Sequence, residues 1–262
     1  MIKNIIDQKI NTINDYIQLV EIHFHLKDIS MLRMEIKKLQ ALLRLVGFHS
    51  KPKELIESPV NSRTILAQSG KIRDLLLQVE KIKQSCKTKD IPVKYIEILH
   101  NEIKDRKLKY AEITFDKSKT KKEYVESITE RLKKSHMRKY LSDRHEKINI
   151  LIENNKWENT HFNAMRRLIK ELLYNISNIE KNSSFQFKYP STFVAKLTLT
   201  AEMQSDFYNN YIAINLLDNA ETTQLPDKEK KTLQEIMTVW KSDKEKDKIK
   251  LIESIKNIAY KK

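Results

Sequence analysis

Arg33, Lys37, Gln40 and Arg44 recur at helical spacing within ISMLRMEIKKLQALLR, residues 29–44. On an α-helix such positions lie about 5–6 Å apart along one line. An arginine fork takes two phosphate oxygens at once, and a lysine adds a mobile point charge. A row of this kind suits an extended polyanion. Arg166 and Lys170 repeat the i, i+4 pair, with Arg167 beside them and Tyr174 one turn on; between the two rows, GKIRD at 70–74 adds Lys71 and Arg73. We take Arg33, Lys37, Lys38, Arg44, Arg73, Arg166, Arg167 and Lys170 as candidate ligands, with Lys71 and Tyr174 in supporting places. Some have plainer roles open to them: Arg73 pairing with Asp74, Lys38 as solvated surface, Tyr174 as packing at a bundle edge.

The rows need rigid supports, and the sequence supplies helices. Ile29, Leu32, Ile36, Leu39 and Leu43 alternate spacings of three and four beside the first row, which makes them its buried ridge. A preceding helix spans 2–26 on Ile6, Ile10, Ile13, Ile17, Val20 and Phe24. Asp28 or Ser30 is placed to cap the second helix and Gly47 to end it. HSKPKELIESPVN is a connection. A third helix runs from about Ser62 to Cys86 with Gly70 in its middle, which costs about 1 kcal/mol relative to alanine and suggests close approach by another backbone or a ligand. Pro92 opens a helix to about Phe115. The charge-dense span after it reads as one helix to Tyr140 and another starting after Ser142; its cluster Arg131, Lys133, Lys134, Arg138 and Lys139 suits a solvated face. Thr160 caps a helix to about Ile179, SNIEKNSSFQFKYPS is a connection, and Ser191 caps a helix from Thr192 to about Leu217. Pro226 opens a last pair ending near Tyr260.

Two glycines and five prolines in 262 residues are too few for the turns of a many-stranded protein. The expected class is all-α. Fifty Lys and Arg against thirty-five Asp and Glu leave a net charge of +15, pointing to an acidic partner. One cysteine, Cys86, excludes an internal disulfide and does not support a thiolate metal site. Charges interrupt every apolar run near the N-terminus, and no later stretch would cross a membrane, so we expect a cytoplasmic protein. His23 and His25, two apart on a helix, would face apart and make a poor zinc pair, and H-E-x-x-H is absent. There is no glycine loop to cradle phosphate and no spaced acidic set for Mg²⁺. We therefore expect no metal, no cofactor and no enzymatic activity.

The two rows recur in register with a second pair of segments. Arg33 to Arg166 spans 133 positions, and Gly70 in GKIRD to Ser205 in SDFYN, residues 205–209, spans 135. This reads as a duplicated unit of about four helices, with halves of roughly 1–120 and 121–262.

LRMEIKKLQALLRL followed by GKIRD, and MRRLIKELLYNI followed by SDFYN, resemble the two halves of the CHAD domain, the conserved histidine α-helical domain. The resemblance covers nearly the whole chain. It implies two pseudo-symmetric four-helix bundles whose basic faces meet in a central channel, non-catalytic binding of inorganic polyphosphate, and association with polyphosphate granules where these form. The chain departs from the family at the histidines three residues before each leading arginine, here Ser30 and Asn163, and at the second-half glycine, here Ser205; His161 is two positions off. Two other partners fit the same charge: RNA or DNA, attracted through counterion release, and an acidic protein on a helical scaffold. Against nucleic acid, the rows hold almost no aromatic residues for stacking and the chain has no recognisable reader pattern.

Overall fold

The ridge from Ile29 to Leu43 is buried throughout, each of its five members at most 3% exposed. In the computed structural model, which describes residues 2–49, 62–86, 91–113, 133–180 and 189–258, that ridge lies on the second of the eight α-helices among the described residues. These are α1 (Ile2–His23), α2 (Leu26–Val46), α3 (Ser62–Ser85), α4 (Val93–Ala111), α5 (Lys134–Glu153), α6 (Asn159–Glu180), α7 (Ser191–Asp218) and α8 (Asp227–Lys256). A 3₁₀ turn, Gly47–His49, follows α2. The fold is all-α, with no strand among the described residues.

Helices pack in chain order within each half: α1 on α2, α2 on α3, α3 on α4, then α5 on α6, α6 on α7 and α7 on α8. Among the described residues the first four helices meet the last four at matching places, α2 on α6, α3 on α7 and α4 on α8, and α2 and the 3₁₀ turn also touch α5. The second helix is thus gripped on several sides, and Ala41, Leu42, Leu45 and Val46 are buried along with its ridge. At the α2–α6 contact the buried Asn175 amide donates to the Ala41 carbonyl at 3.1 Å. Full burial of one Leu or Ile contributes about 1.5–3 kcal/mol, so the ridge alone fixes the angle at which the first basic row is presented.

Several boundaries differ from expectation, each for a local reason. The first helix stops at His23, because Phe24 takes a left-handed backbone with φ of 50°. Its N–H closes the helix on Val20 O at 2.9 Å, and its ring meets Tyr110 edge-on at 5.6 Å. The second helix therefore starts at Leu26, with His25 in the capping position; Asp28 and Ser30 lie inside it. The break also overturns the expected separation of His23 and His25, whose rings stack at 5.2 Å. No metal-holding group of three side chains occurs among the described residues.

Gly47 does end α2, in ordinary right-handed geometry. The anticipated break near Ser142 is absent: α5 runs unbroken through it, since no glycine or proline intervenes and both Tyr140 and Leu141 are buried. α6 begins at Asn159, so Thr160 lies inside it and is not its cap, and Ser191 is the first residue of α7 behind Pro190. The expected last pair is one helix of 30 residues. Its charged middle holds no breaker, and Leu251 and Ile255 anchor its far end in the core. Most of the two long connections, residues 50–61 and 181–188, lies outside the described residues, as does 114–132, the first part of the charge-dense span, with Phe115 and Arg131; residues 177–180, expected in the second connection, belong to α6.

Candidate functional site

The two basic rows stand on α2 and α6, and those helices touch. Their packing brings Arg33 and Lys37 within electrostatic reach of Arg166 and Lys170, while Arg73 joins them from α3. Crowding and burial show in the lysines. Burial, then the charges of Arg33, Arg166, Lys170 and Arg73, push the Lys37 ammonium down to about 7. Burial and the charges of Arg166 and Arg73 bring Lys170 to about 8, although Asp206 pulls the other way. Neither lysine makes an ion pair or hydrogen bond among the described residues. A desolvated cation without a partner is costly, and an anion brought among these side chains relieves that cost.

Each arginine is positioned differently. Arg33 reaches across to α3, where its Nη1 donates to the Leu66 carbonyl and, at 3.2 Å, to Ser69 Oγ. Gly70 makes room for this. The close approach its position suggested is that of the Arg33 guanidinium, not a second backbone. Arg73 pairs with Asp74 at 3.0 Å, as its plainer reading held, and also donates through Nη2 to Asn209 Oδ1 on α7 at 3.1 Å. Arg166 lays its guanidinium on the ring of Tyr208, 4.6 Å from the centroid. Burial lowers both Arg33 and Arg166 from the usual arginine value.

The carboxylates nearby are desolvated too. Burial raises Asp74 above its ordinary value despite Arg73 and Arg33, and burial with the charges of Asp247 and Glu202 raises Asp206. Tyr174 stands beside the cluster: burial raises its hydroxyl, with Arg166 pulling down and Glu35 pushing up.

Four expected ligands stand elsewhere. Lys38 is paired with Glu35 at 2.6 Å, and Glu35 also takes Lys9 at 3.2 Å. Burial pushes that carboxyl up, but the Lys38 hydrogen bond and the Lys9 charge outweigh it and hold it below its ordinary value. Arg44 binds Glu171 at 2.8 Å, and the same carboxylate takes Arg144 at 3.0 Å and the Tyr140 hydroxyl. Arg167 and Lys71 are exposed. Gln40, in the same row, donates to Ser62 Oγ at 3.0 Å and helps fix α3 on α2. Lys133, Lys134, Arg138 and Lys139 are exposed, as a solvated face requires.

Tyr208, Asn209 and Asp206 are neighbours of the cluster that the choice of ligands left out. The signal for them was SDFYN itself, the segment in register with GKIRD, which carries all three. Ser205, in place of a glycine, turns its hydroxyl back onto the Ala201 carbonyl at 2.7 Å, within its own helix.

No family model matches the sequence, and no curated protein does. Among solved structures, the chain is similar to the CHAD domain from the plant Ricinus communis, with a TM-score of 0.71 at 12% identity, over 97% of this chain and 89% of that one. At that identity the likeness speaks for the fold, and it extends to nearly every described helix. This chain has the fold of a CHAD domain.

Proposed function

We propose that the chain binds inorganic polyphosphate on the cluster of Arg33, Lys37, Arg73, Arg166 and Lys170, and that it holds the polymer without reacting on it. The carrying observation is the convergence of these five cations from three packed helices, α2, α3 and α6, with the half-buried Lys37 and Lys170 pushed down by desolvation and by neighbouring cations. A surface charged only for solubility spreads its cations into water. Here three helices hold them together, where a chain of phosphates offers each one an oxygen.

The reading also takes the two halves as a duplicated unit with the rows at its centre. It is supported by the helix contacts, which follow the same order in each half and join α2 to α6 and α3 to α7. A polyanion lying along that seam would touch the Arg33 and Arg166 rows in turn, and we assign the central basic path to it. Cytoplasmic residence belongs to the same reading; no described helix is long and apolar enough to cross a membrane.

The test is competition. Long-chain polyphosphate bound to the intact chain is challenged with RNA of equal charge and with an acidic polypeptide, at physiological salt. The proposal expects neither to displace it at equal charge concentration. Displacement by RNA would assign the basic surface to nucleic acid, and displacement by the polypeptide to a protein partner.

A further inference from the structure

Beside the cationic cluster, between the start of α6 and the middle of α7, lies a cleft of about 180 Å³ that a bare phosphate chain has no use for. Phe162, Asn163, Arg166, Gln204, Tyr208 and Tyr211 line it. A cavity of about 150 Å³ already accepts a benzene ring, so there is room for one flat ring system.

Three features of this cleft go together. Its walls are aromatic: Tyr208 and Tyr211 lie with centroids 6.3 Å apart, and Phe162 lies 5.1 Å from Phe207. Faces of this kind hold heteroaromatic rings by stacking, whatever their substituents. Gln204 is 1% exposed, and neither its amide oxygen nor its nitrogen has a partner among the described residues. A buried amide with both ends unmade is uncommon and costly. It presents an adjacent donor and acceptor in one plane, the pattern that pairs with the N6 and N7 edge of adenine. Finally, Arg166 belongs to both places. It lines the cleft with its Nε unpartnered, stacks on Tyr208, and stands within electrostatic reach of Lys37, Arg33 and Lys170.

We propose that the cleft takes the base of an adenine nucleotide whose phosphates lie on the neighbouring cations. The inference rests on the reading of those cations as a phosphate site. It adds a specificity that inorganic polyphosphate lacks: Gln204 reads the base edge, Tyr208 and Tyr211 flank the ring, and Arg166 passes the phosphate tail to Lys37 and Lys170. Asn163, at the cleft wall, occupies one of the positions where the resemblance calls for histidine.

The experiment is calorimetric titration of the intact chain with ATP, with inorganic tripolyphosphate and with long-chain polyphosphate. Gln204→Leu is the test variant, since it keeps the volume of the side chain and removes only the unpartnered amide. We expect ATP to bind about fivefold or more tighter than tripolyphosphate, although tripolyphosphate is at least as highly charged. Gln204→Leu should weaken ATP binding several-fold, by the lost base-edge hydrogen bonds, and leave tripolyphosphate binding unchanged. ATP binding no tighter than tripolyphosphate, or equal losses for both in the variant, would overturn the inference. If long-chain polyphosphate still binds in that case, the phosphate site stands and only the base cleft falls. If none of the three binds, both fall.

Discussion

Gly70 of α3 lies directly under the guanidinium of Arg33 from α2: a Cβ built at that position would stand 2.8 Å from Nη1. The contact explains a glycine in the middle of a 24-residue helix. It also makes that glycine a handle on the site that leaves every charge in place.

Gly70→Ala sets two effects against each other. Alanine favours the helix by about 1 kcal/mol, while its methyl group displaces the far end of a flexible side chain from Leu66 O and Ser69 Oγ. We expect a melting temperature within a few degrees of the parent, because these changes are of similar size, and several-fold weaker polyphosphate binding from the misplaced Arg33. Unchanged affinity, measured by titration, would mean that the position of Arg33 does not matter to the ligand.

The paired substitutions Arg33→Gln with Lys37→Gln, and Arg166→Gln with Lys170→Gln, address the two rows separately. Each pair should lower polyphosphate affinity about tenfold or more, since charge-assisted hydrogen bonds are individually worth about 1.5–3 kcal/mol, and helix content by circular dichroism should not change. Changing Lys133, Lys134, Arg138 and Lys139 together, all exposed, should cost far less at physiological salt, where distant surface charges are screened. The opposite ranking would move the site to α5.

The rows were legible because an i, i+4 cation pair beside an apolar ridge needs only local periodicity, and Ile29 to Leu43 fixes which side faces in. What local periodicity does not carry is the use each cation is put to. Arg44 and Lys38 sit in or beside the first row, yet Glu171 and Glu35 hold them, and Glu171 arrives from a helix more than a hundred residues away. Arg73 shows the same limit. Its neighbour Asp74 could be read from the sequence, while its contact with Asn209 required α7 to be docked on α3. Phe24 is a local failure: a bulky residue in left-handed geometry carries no sequence mark, so α1 was read through to residue 26.

Glu171 ties α2 and α5 to α6. It is buried and binds Arg44, Arg144 and the Tyr140 hydroxyl. Glu171→Ala leaves Arg144, itself mostly buried, without that carboxylate. The expected loss is about 3 kcal/mol of stability, read as a lower denaturant midpoint with unchanged slope. Binding of polyphosphate by the folded fraction should be retained. A variant as stable as the parent would show that water replaces the carboxylate.

Polyphosphate binding should take up protons. Lys37 and Lys170 are lowered to about 7 and 8 from an ordinary 10.5, so above neutral pH the free protein holds them partly uncharged, and an anion restores their charge. Affinity therefore falls as pH rises through 7 and 8. Stability of the unliganded chain responds in the opposite sense to these two groups: the unfolded chain binds more protons between the lowered values and 10.5, so their contribution rises with pH across that window. Titrations at pH 8 in two buffers of different ionisation enthalpy measure the uptake. Proton release, or none, would contradict burial of these amines among cations.

Titration of the intact chain with long-chain polyphosphate and with single-stranded RNA of matched charge, at physiological salt, decides whether the basic rows hold polyphosphate. Polyphosphate binding should be saturable, tighter than RNA binding, and weakened by either row's paired substitution. Tighter binding of the RNA, or polyphosphate binding indifferent to both pairs, would contradict it.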